Sequence, residues 1–261
     1  MEEESYLQEI KYTGVCKSQI FEIFGGRNNK KYIPHMLGHE ATGIVLDKAK
    51  DVKKVKKKDR VILTWIKCKG RQAKNPKYKD GKKIINSGSI TTFSSHTIVS
   101  ENRLLKLPRD ISFKRGVILG CAYPTGAGIA LNQIKYNSDK KIGFIGLGGV
   151  GTSSLLTALN FNFKEITCFD VNLNRINFFK KNLKTKKNVN FAFSNLNTIN
   201  KYKDYFDYIV ETSGSVLGIE AGFSMINPKG KLIFASHPNE KEFIKLKPFE
   251  FIKGKKIIGS W

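Results

Sequence analysis

Cysteine and arginine are both scarce in this 261-residue chain, and each shortage argues against a class of protein. Four cysteines are too few for a disulfide scaffold at this length, so we expect a reducing compartment such as the cytoplasm. The formal net charge is +24, yet only seven of the 46 basic residues are arginine. Arginine is the side chain whose planar guanidinium group makes bidentate hydrogen bonds to phosphates and guanine edges. Lysines spread among many asparagines and isoleucines are typical of an AT-rich coding sequence, so we expect no nucleic-acid partner.

The sequence pattern also argues against a signal peptide at residues 1–5 and against a membrane span. The first residues, 1–5, are acidic and lack the basic start and apolar run of a signal peptide. One uncharged stretch, 142–163, is long enough to span a bilayer, but it contains five glycines together with serine, threonine and asparagine. This composition favours a tight turn, so we expect no membrane partner.

The hydrophobic pattern changes character near residue 120. Before it, short β-like runs at 43–46, 60–65 and 93–99 are joined by polar stretches such as 71–83, which predicts an irregular, mostly β domain over 1–118. The lysine-rich run 53–58 is interpreted as a solvated loop before a strand.

After residue 120 the chain alternates strands and helices, which predicts a second domain over 119–261. Repeated β-α-β units indicate an α/β fold with a doubly wound parallel sheet. The predicted strands cover 141–145, 165–170, 189–193, 207–211, 231–236 and 256–261, and the predicted helices cover 150–160, 173–183 and 216–226.

A glycine motif follows the first of these strands and opens the first helix. It comprises Gly146, Gly148, Gly149, Val150 and Gly151. In this context Gly146 permits a tight turn, Gly148 lets the backbone approach a pyrophosphate, and Gly151 lets helix and strand pack closely. Asp170 ends the second strand, where its carboxylate could accept hydrogen bonds from a ribose diol and repel a 2′-phosphate. The pattern therefore predicts NAD rather than NADP, with a purely structural turn and a surface aspartate as the alternative.

Cysteine and histidine spacing alone does not identify a metal site. Cys16, His39 and Cys121 are far apart in sequence, and no Cys-x-x-Cys pair occurs. A single cysteine is usually a small buried hydrophobe, and a single histidine is usually an ordinary polar residue. From the residues alone, zinc binding and a structural role both remain open. Cys168, on an apolar strand, is interpreted as core.

Three segments give the chain a family resemblance. Gly38-His39-Glu40, followed by Gly43, Ala49 and Val52, is similar to the zinc alcohol dehydrogenase signature. Segments 13–16 and 120–126 are similar to the first and third zinc-ligand segments of that family. Their order, with the glycine motif after them, resembles the medium-chain dehydrogenase family over nearly all of the chain. The resemblance implies a GroES-like catalytic domain followed by a Rossmann domain.

The resemblance also implies the chemistry of the site. Cys16, His39 and Cys121 would bind one catalytic Zn²⁺ and leave its fourth position for an alcohol oxygen. Ser18 would contact the substrate oxygen and begin a proton relay, and Glu40 would lie near the metal. For the cofactor, Lys17 would contact the pyrophosphate, Thr125 would lie near the nicotinamide, and Arg175 would lie near the adenosine ribose.

Several positions depart from the family pattern. Gln19 stands where relatives often carry an aspartate that orients the zinc-bound histidine, and its carbonyl oxygen could still accept that bond. Phe21 stands where relatives commonly carry a relay histidine, and a phenyl ring cannot move a proton. Only Cys68 occurs in the 68–85 region that usually holds four structural-zinc cysteines, so we expect no structural zinc.

The ends of the sequence also differ from the relatives. Strands are expected before Tyr6, and a long C-terminal segment is expected after Trp261, so the sequence predicts a gene fragment or a degenerate copy. On its own such a chain is expected to aggregate and to be nearly inactive, because an unfinished edge strand leaves backbone groups unpaired.

The sequence favours one function and leaves others open. The family resemblance implies a zinc- and NAD-dependent oxidoreductase that interconverts a primary alcohol, with aryl and thiol-adduct alcohols among the candidates, and its aldehyde. The protein would form a homodimer or homotetramer if full length. The alternatives are a zinc-free reductase of the same superfamily, an inactive remnant, and a basic nucleic-acid-binding protein whose affinity would fall steeply with salt.

Overall fold

A computed structural model describes residues 5–26, 32–239 and 241–260. The chain divides into two compact units, Met1–Ala122 and Tyr123–Trp261. The boundary predicted from the sequence lies at residue 118. The acidic start at residues 1–4 and the terminal Trp261, on which the expectations about the chain ends depend, lie outside the described residues.

The first unit contains an antiparallel five-stranded sheet with the order β6-β1-β2-β3-β7. A separate hairpin pairs β4 with β5. The strands are β1 (Ser5–Thr13), β2 (Glu40–Lys48), β3 (Arg60–Thr64), β4 (Tyr78–Asp80), β5 (Lys83–Ile85), β6 (His96–Ser100) and β7 (Leu104–Lys106), and the α-helices lying wholly within the unit are α1 (Lys17–Ile23) and α2 (Phe113–Gly116).

Alternating side chains of this sheet build the core of the first unit. Tyr6, Val61, Leu63 and Leu104 are fully buried and belong to one hydrophobic cluster. Gly43 lies where β2 pairs with β1, and a Cβ there would collide with the backbone carbonyl of Glu9. The signature glycine at position 43 is thus required by the close approach of two strands.

The second unit contains a six-stranded, all-parallel sheet with the order β10-β9-β8-β11-β12-β13. Its strands are β8 (Lys141–Ile145), β9 (Glu165–Asp170), β10 (Val189–Phe193), β11 (Phe206–Glu211), β12 (Ile226–Phe234) and β13 (Lys256–Gly259). The helices are α3 (Ala122–Gln133), α4 (Gly149–Ala158), α5 (Leu173–Asn182), α6 (Leu196–Lys201), α7 (Val216–Met225) and α8 (Pro248–Ile252). This is the strand order of a doubly wound dinucleotide-binding sheet. Together with the antiparallel sheet of the first unit, it confirms the predicted fold class.

Both faces of the parallel sheet are covered by apolar side chains. Ile142 and Phe144 of β8 belong to one buried cluster, whereas Ile145 belongs to a cluster on the opposite face. Burial on both faces explains why β8 and β9 are short, largely apolar runs with the bounds predicted from the sequence. The edge strand β10 also has the predicted bounds, although its Asn190 and Phe193 are exposed. Cys168 is fully buried in the first of these clusters, which confirms that it is a core residue.

Two features of the first unit differ from the sequence prediction. Part of the 71–83 stretch, predicted to be an irregular connection, forms β4, and β5 begins at its last residue. Strand β1 and helix α1 carry no clear hydrophobic period and are not among the predicted elements. Residues 53–58 form the loop before β3, as predicted.

None of the helices in the described ranges is long and apolar enough to cross a membrane.

Candidate metal centre and dinucleotide site

Three segments of the first unit bring Cys16, His39 and Cys121 together. Cys16 is the extended residue that precedes α1, His39 immediately precedes β2, and Cys121 follows a short 3-10 turn, Val117–Gly120. One ligand atom from each side chain lies within 4.8 Å of the other two. Bonds of about 2.0–2.3 Å to a tetrahedral zinc give the cluster a similar size, and two sulfurs with one imidazole are donors that zinc prefers. The residues present therefore fit the metal.

The two thiols of this cluster have very different proton affinities. Hydrogen bonding from Cys121 lowers the pKa of the Cys16 thiol against the opposing effect of burial, and His39 and Ser18 lower it further. The Cys16 side chain and burial both raise the pKa of Cys121. The pair thus holds one thiolate readily, and a second thiolate needs a cation beside it.

Glu40 is a buried carboxyl beside the same cluster. Its side chain is only 6% exposed, and burial raises its pKa to about 7. Within the described part of the chain its Oε2 atom has no hydrogen-bond partner. A Cβ on Gly14 would lie 2.5 Å from Glu40 Oε1, and one on Gly120 would lie 2.8 Å from Glu40 Cβ. Both glycines are therefore needed to admit the Glu40 side chain, and its Oε2 atom, which no described residue hydrogen-bonds, suits a nearby cation.

Gln19 shapes the segment before His39 in a way that differs from the expectation. The backbone N–H of Gly38 donates to Gln19 Oε1, so this buried amide oxygen is bound to the Gly38 backbone. Gly38 has a φ of +90°, and a Cβ there would collide with Thr92. Gln19 and Gly38 together fix the backbone that leads into His39.

The remaining predicted residues of the first unit lie on α1. Lys17 is exposed at its first position, and Ser18 is half-buried and hydrogen-bonds the Cys16 thiol. Phe21 lies one turn further along the helix. Cys68 lies elsewhere, where its Sγ donates to the Asn102 carbonyl at 2.9 Å. The absence of a structural zinc stays a prediction.

The glycine motif of the second unit forms the turn between β8 and α4. Gly146 has a φ of +87°, and its N–H donates to Phe169 O at 2.8 Å. A Cβ on Gly151 would collide with Gly146 O, whereas one on Gly148 would meet no atom within 4 Å. Gly148 is the residue that precedes α4, and it offers no side chain to cap the first N–H groups of this helix. The open space above Gly148 and the uncapped helix end suit a pyrophosphate.

Asp170 is more closely engaged with the protein than the sequence indicates. Its Oδ2 accepts hydrogen bonds from Leu147 N at 2.7 Å and from Arg175 Nη1 at 2.8 Å, and its Oδ1 accepts one from Asn172 N at 2.8 Å. Burial raises its pKa, but these hydrogen bonds outweigh burial, so the pKa is lowered overall. The carboxylate thus fastens the glycine turn, and Arg175 lies beside it.

Helix α3 carries Thr125 close to the glycine motif within the second unit. A Cβ on Gly126 would collide with Val150 O, and Ser154 Oγ donates to Gly126 O at 2.7 Å, so α3 and α4 touch at this point. Thr125 Oγ1 is buried without a hydrogen-bond partner among the described residues. An unpartnered hydroxyl beside the motif suits a polar group of a bound ligand.

Two glycine substitutions separate packing from ligand binding. Gly151→Ala places a methyl group against Gly146 O, and we expect it to lower stability by about 1–3 kcal/mol and to abolish NAD binding. Gly148→Ala fills only open space, so we expect stability to change by less than about 0.5 kcal/mol while NAD affinity still falls. Thermal melts and NAD titrations test both. Unchanged NAD affinity in Gly148→Ala would contradict the assigned site.

Comparisons with known proteins relate the chain to alcohol dehydrogenases. Residues 2–109 match the alcohol dehydrogenase GroES-like domain. The chain is 28% identical over 193 residues to alcohol dehydrogenase class-2 isozyme 2 of Oryctolagus cuniculus, an alignment that covers 63% of this chain and 51% of that protein. It is 25% identical over 189 residues to S-(hydroxymethyl)glutathione dehydrogenase of Komagataella pastoris, covering 63% of this chain and 50% of that one. The chain thus spans about half the length of these curated relatives.

A solved structure supports the fold over the whole length. The chain is similar to the crystal structure of benzyl alcohol dehydrogenase from Acinetobacter calcoaceticus, with a TM-score of 0.84 and 21% sequence identity. The likeness covers 99% of this chain and 77% of that chain.

Proposed function

Because the chain belongs to the medium-chain alcohol dehydrogenase family, we propose that it is a zinc- and NAD-dependent oxidoreductase that interconverts a primary alcohol and its aldehyde by hydride transfer. The observation that carries this proposal is the convergence of Cys16, His39 and Cys121, whose ligand atoms lie within 4.8 Å of one another. Three dispersed residues of the types that zinc prefers meet beside a buried carboxyl group, as a catalytic metal centre requires.

The three ligands would hold one zinc ion and leave a fourth position for substrate. When bound, zinc supplies Lewis-acid polarisation of the substrate oxygen. Cys16 is ready to bind because its pKa is lowered, and Cys121 would lose its proton on binding. Glu40 would balance the local charge through its buried, unpartnered oxygen.

Ser18 would take the proton that leaves the alcohol. It lies two residues after Cys16 on α1, and its hydrogen bond to the Cys16 thiol keeps it next to the cluster. Phe21 cannot pass the proton further, so the route onward would use water. Ser18 is therefore proposed to be the first proton carrier.

The second unit would bind the dinucleotide. The turn Gly146–Gly151 and the first N–H groups of α4 would hold the pyrophosphate, and Asp170 and Arg175 would face the adenosine ribose. The buried Thr125 hydroxyl would contact the nicotinamide end. Asp170 supports NAD over NADP because its ionised carboxylate repels a 2′-phosphate.

The names of two similar proteins support a proposed substrate class. They are S-(hydroxymethyl)glutathione dehydrogenase and benzyl alcohol dehydrogenase, and each name denotes a primary alcohol. We propose a primary alcohol of the aryl or thiol-adduct kind for this chain. We also propose that the protein, if full length, forms homodimers or homotetramers. A reducing, cytoplasmic location is proposed because two of the proposed ligands are free thiols.

The decisive assay is NAD reduction by the zinc-loaded full-length protein with a panel of aliphatic, benzylic and thiol-adduct primary alcohols. We expect turnover with at least one class, loss of activity after chelation and recovery with added zinc. Activity that survives chelation would favour the zinc-free reductase. Absence of turnover with NAD bound and zinc loaded would favour the inactive remnant.

A further inference from the structure

Glu211 is a buried carboxylate that the proposed mechanism does not use. It ends β11 at the carboxyl edge of the parallel sheet, and its exposure is 0%. Its Oε1 accepts hydrogen bonds from Ser213 N at 2.7 Å and from Ser213 Oγ, and its Oε2 accepts one from Ser236 Oγ at 2.5 Å. One side chain thus joins the segments that follow β11 and β12.

The segment held by Glu211 forms a wall of the glycine turn. A Cβ on Gly146 would lie 2.9 Å from both the N and Cα atoms of Ser213. Thr212 Oγ1 donates to Gly146 O at 2.8 Å, and a Cβ on Gly151 would lie 2.6 Å from the same Thr212 oxygen. The first and last glycines of the motif therefore both pack against residues 212–213.

Helix α7 supports this wall from another side. A Cβ on Gly218 would collide with Ser213 Oγ and would lie 2.9 Å from Glu211 Oε1. Close packing leaves the Ser213 side chain little room. We infer that the hydrogen bonds from Ser213 to Glu211, together with this packing, fix the position of the Ser213 backbone.

We propose that Glu211 is a positioning residue that keeps the turn Gly146–Gly151 in its dinucleotide-binding shape by fixing Ser213. This inference rests on the proposed function, because the expected effect on NAD affinity requires that the turn binds NAD. Three of the hydrogen bonds that Glu211 accepts come from a backbone N–H and two hydroxyl groups. An amide of the same shape can accept from Ser213 while donating to Ser236 Oγ.

Three variants and a matched control test the proposal. Glu211→Ala removes all of these bonds, Glu211→Gln keeps the shape, and Ser213→Ala removes one donor. Asp207→Ala is the control, because Asp207 lies at the other end of β11 and accepts bonds from Lys140 Nζ at 2.8 Å and Lys141 N at 2.9 Å. Each variant is measured by amide hydrogen exchange over 146–151 without cofactor, by NAD titration and by thermal melting.

We expect Glu211→Ala to accelerate exchange over 146–151 and to weaken NAD binding roughly ten- to hundredfold, the effect of misplacing binding groups by about 1 Å. Glu211→Gln should keep both near wild type, and Ser213→Ala should have a smaller effect that disappears in the Glu211→Ala background. Asp207→Ala should lower the melting temperature while leaving exchange over 146–151 and NAD affinity unchanged.

The outcomes separate this inference from the proposed function. If Glu211→Ala leaves exchange over 146–151 unchanged, or if Asp207→Ala accelerates it equally, the positioning role is wrong even when NAD binds. If exchange responds as expected but the wild-type protein binds no NAD, the positioning role stands and the proposed function fails. Should Glu211→Ala not fold, Ser213→Ala decides alone, and unchanged exchange in that variant overturns the proposal.

Discussion

Cys121→Ser lowers kcat/KM for alcohol oxidation at least about a thousandfold, since it removes one of the three proposed zinc ligands. Lewis-acid polarisation of the substrate oxygen contributes several kcal/mol, and roughly 4 kcal/mol corresponds to three decades in rate. Among the described residues the cluster holds no thiol besides Cys16 and Cys121, so no other thiol can take the place of Cys121. Steady-state kinetics and zinc analysis of the variant measure both losses.

The matched control for this substitution is Cys68→Ser. Cys68 is a half-buried cysteine of the same unit, and its Sγ donates to the Asn102 carbonyl, a bond that a serine hydroxyl can also make. We expect this variant to retain zinc and activity. Equal loss of activity in the two variants, or full activity in Cys121→Ser, would contradict the assignment of Cys121 as a ligand.

Asp170→Asn shifts the cofactor preference from NAD toward NADP. The substitution removes the negative charge that repels a 2′-phosphate and leaves the Arg175 guanidinium, whose exposed fraction is 42%, available to bind that phosphate. The asparagine carbonyl can still accept from Leu147 N, whereas the NH2 group cannot accept from Asn172 N. We therefore expect the glycine turn to be retained with some loss of stability. One charged hydrogen bond contributes about 1.5–3 kcal/mol, so the ratio of NADP to NAD affinity should rise roughly ten- to hundredfold.

A second substitution separates charge from position in this test. Asp170→Asn combined with Arg175→Gln should lose most of the gain in NADP affinity, because the cation that binds the phosphate is gone. Titrations of the wild type and both variants with NAD and NADP measure these ratios. A wild-type protein that already prefers NADP would show that Asp170 does not select the cofactor.

Strands β8 and β9 of the second unit could be predicted from the sequence because their local pattern and their burial agree. Both are short, largely apolar, mostly buried runs bounded by polar or glycine-rich segments. Strand β1 could not be found in this way. It pairs with both β2 and β6, and its Gln8 is fully buried, so tertiary pairing rather than hydrophobic alternation defines it.

The candidate site was only partly accessible to sequence reasoning. The motifs named Cys16, His39 and Cys121, and the structure brings these three side chains together. The bonds that shape the two sites join residues distant in sequence, such as Gln19 with Gly38 and Asp170 with Leu147. Such pairs have no local signal, since only the folded backbone brings them into contact. Glu211 ends an ordinary strand in the sequence, and its contact with the glycine turn is visible only in the structure.

The zinc content of the purified, chelator-washed protein tests the central claim most directly. Native mass spectrometry of the wild type and of the Cys16→Ala/Cys121→Ala variant counts the ions bound to each chain. We expect one zinc per chain in the wild type and none retained in the double variant. A stoichiometry near two in the wild type, or full occupancy in the double variant, would contradict a single catalytic zinc held by Cys16, His39 and Cys121.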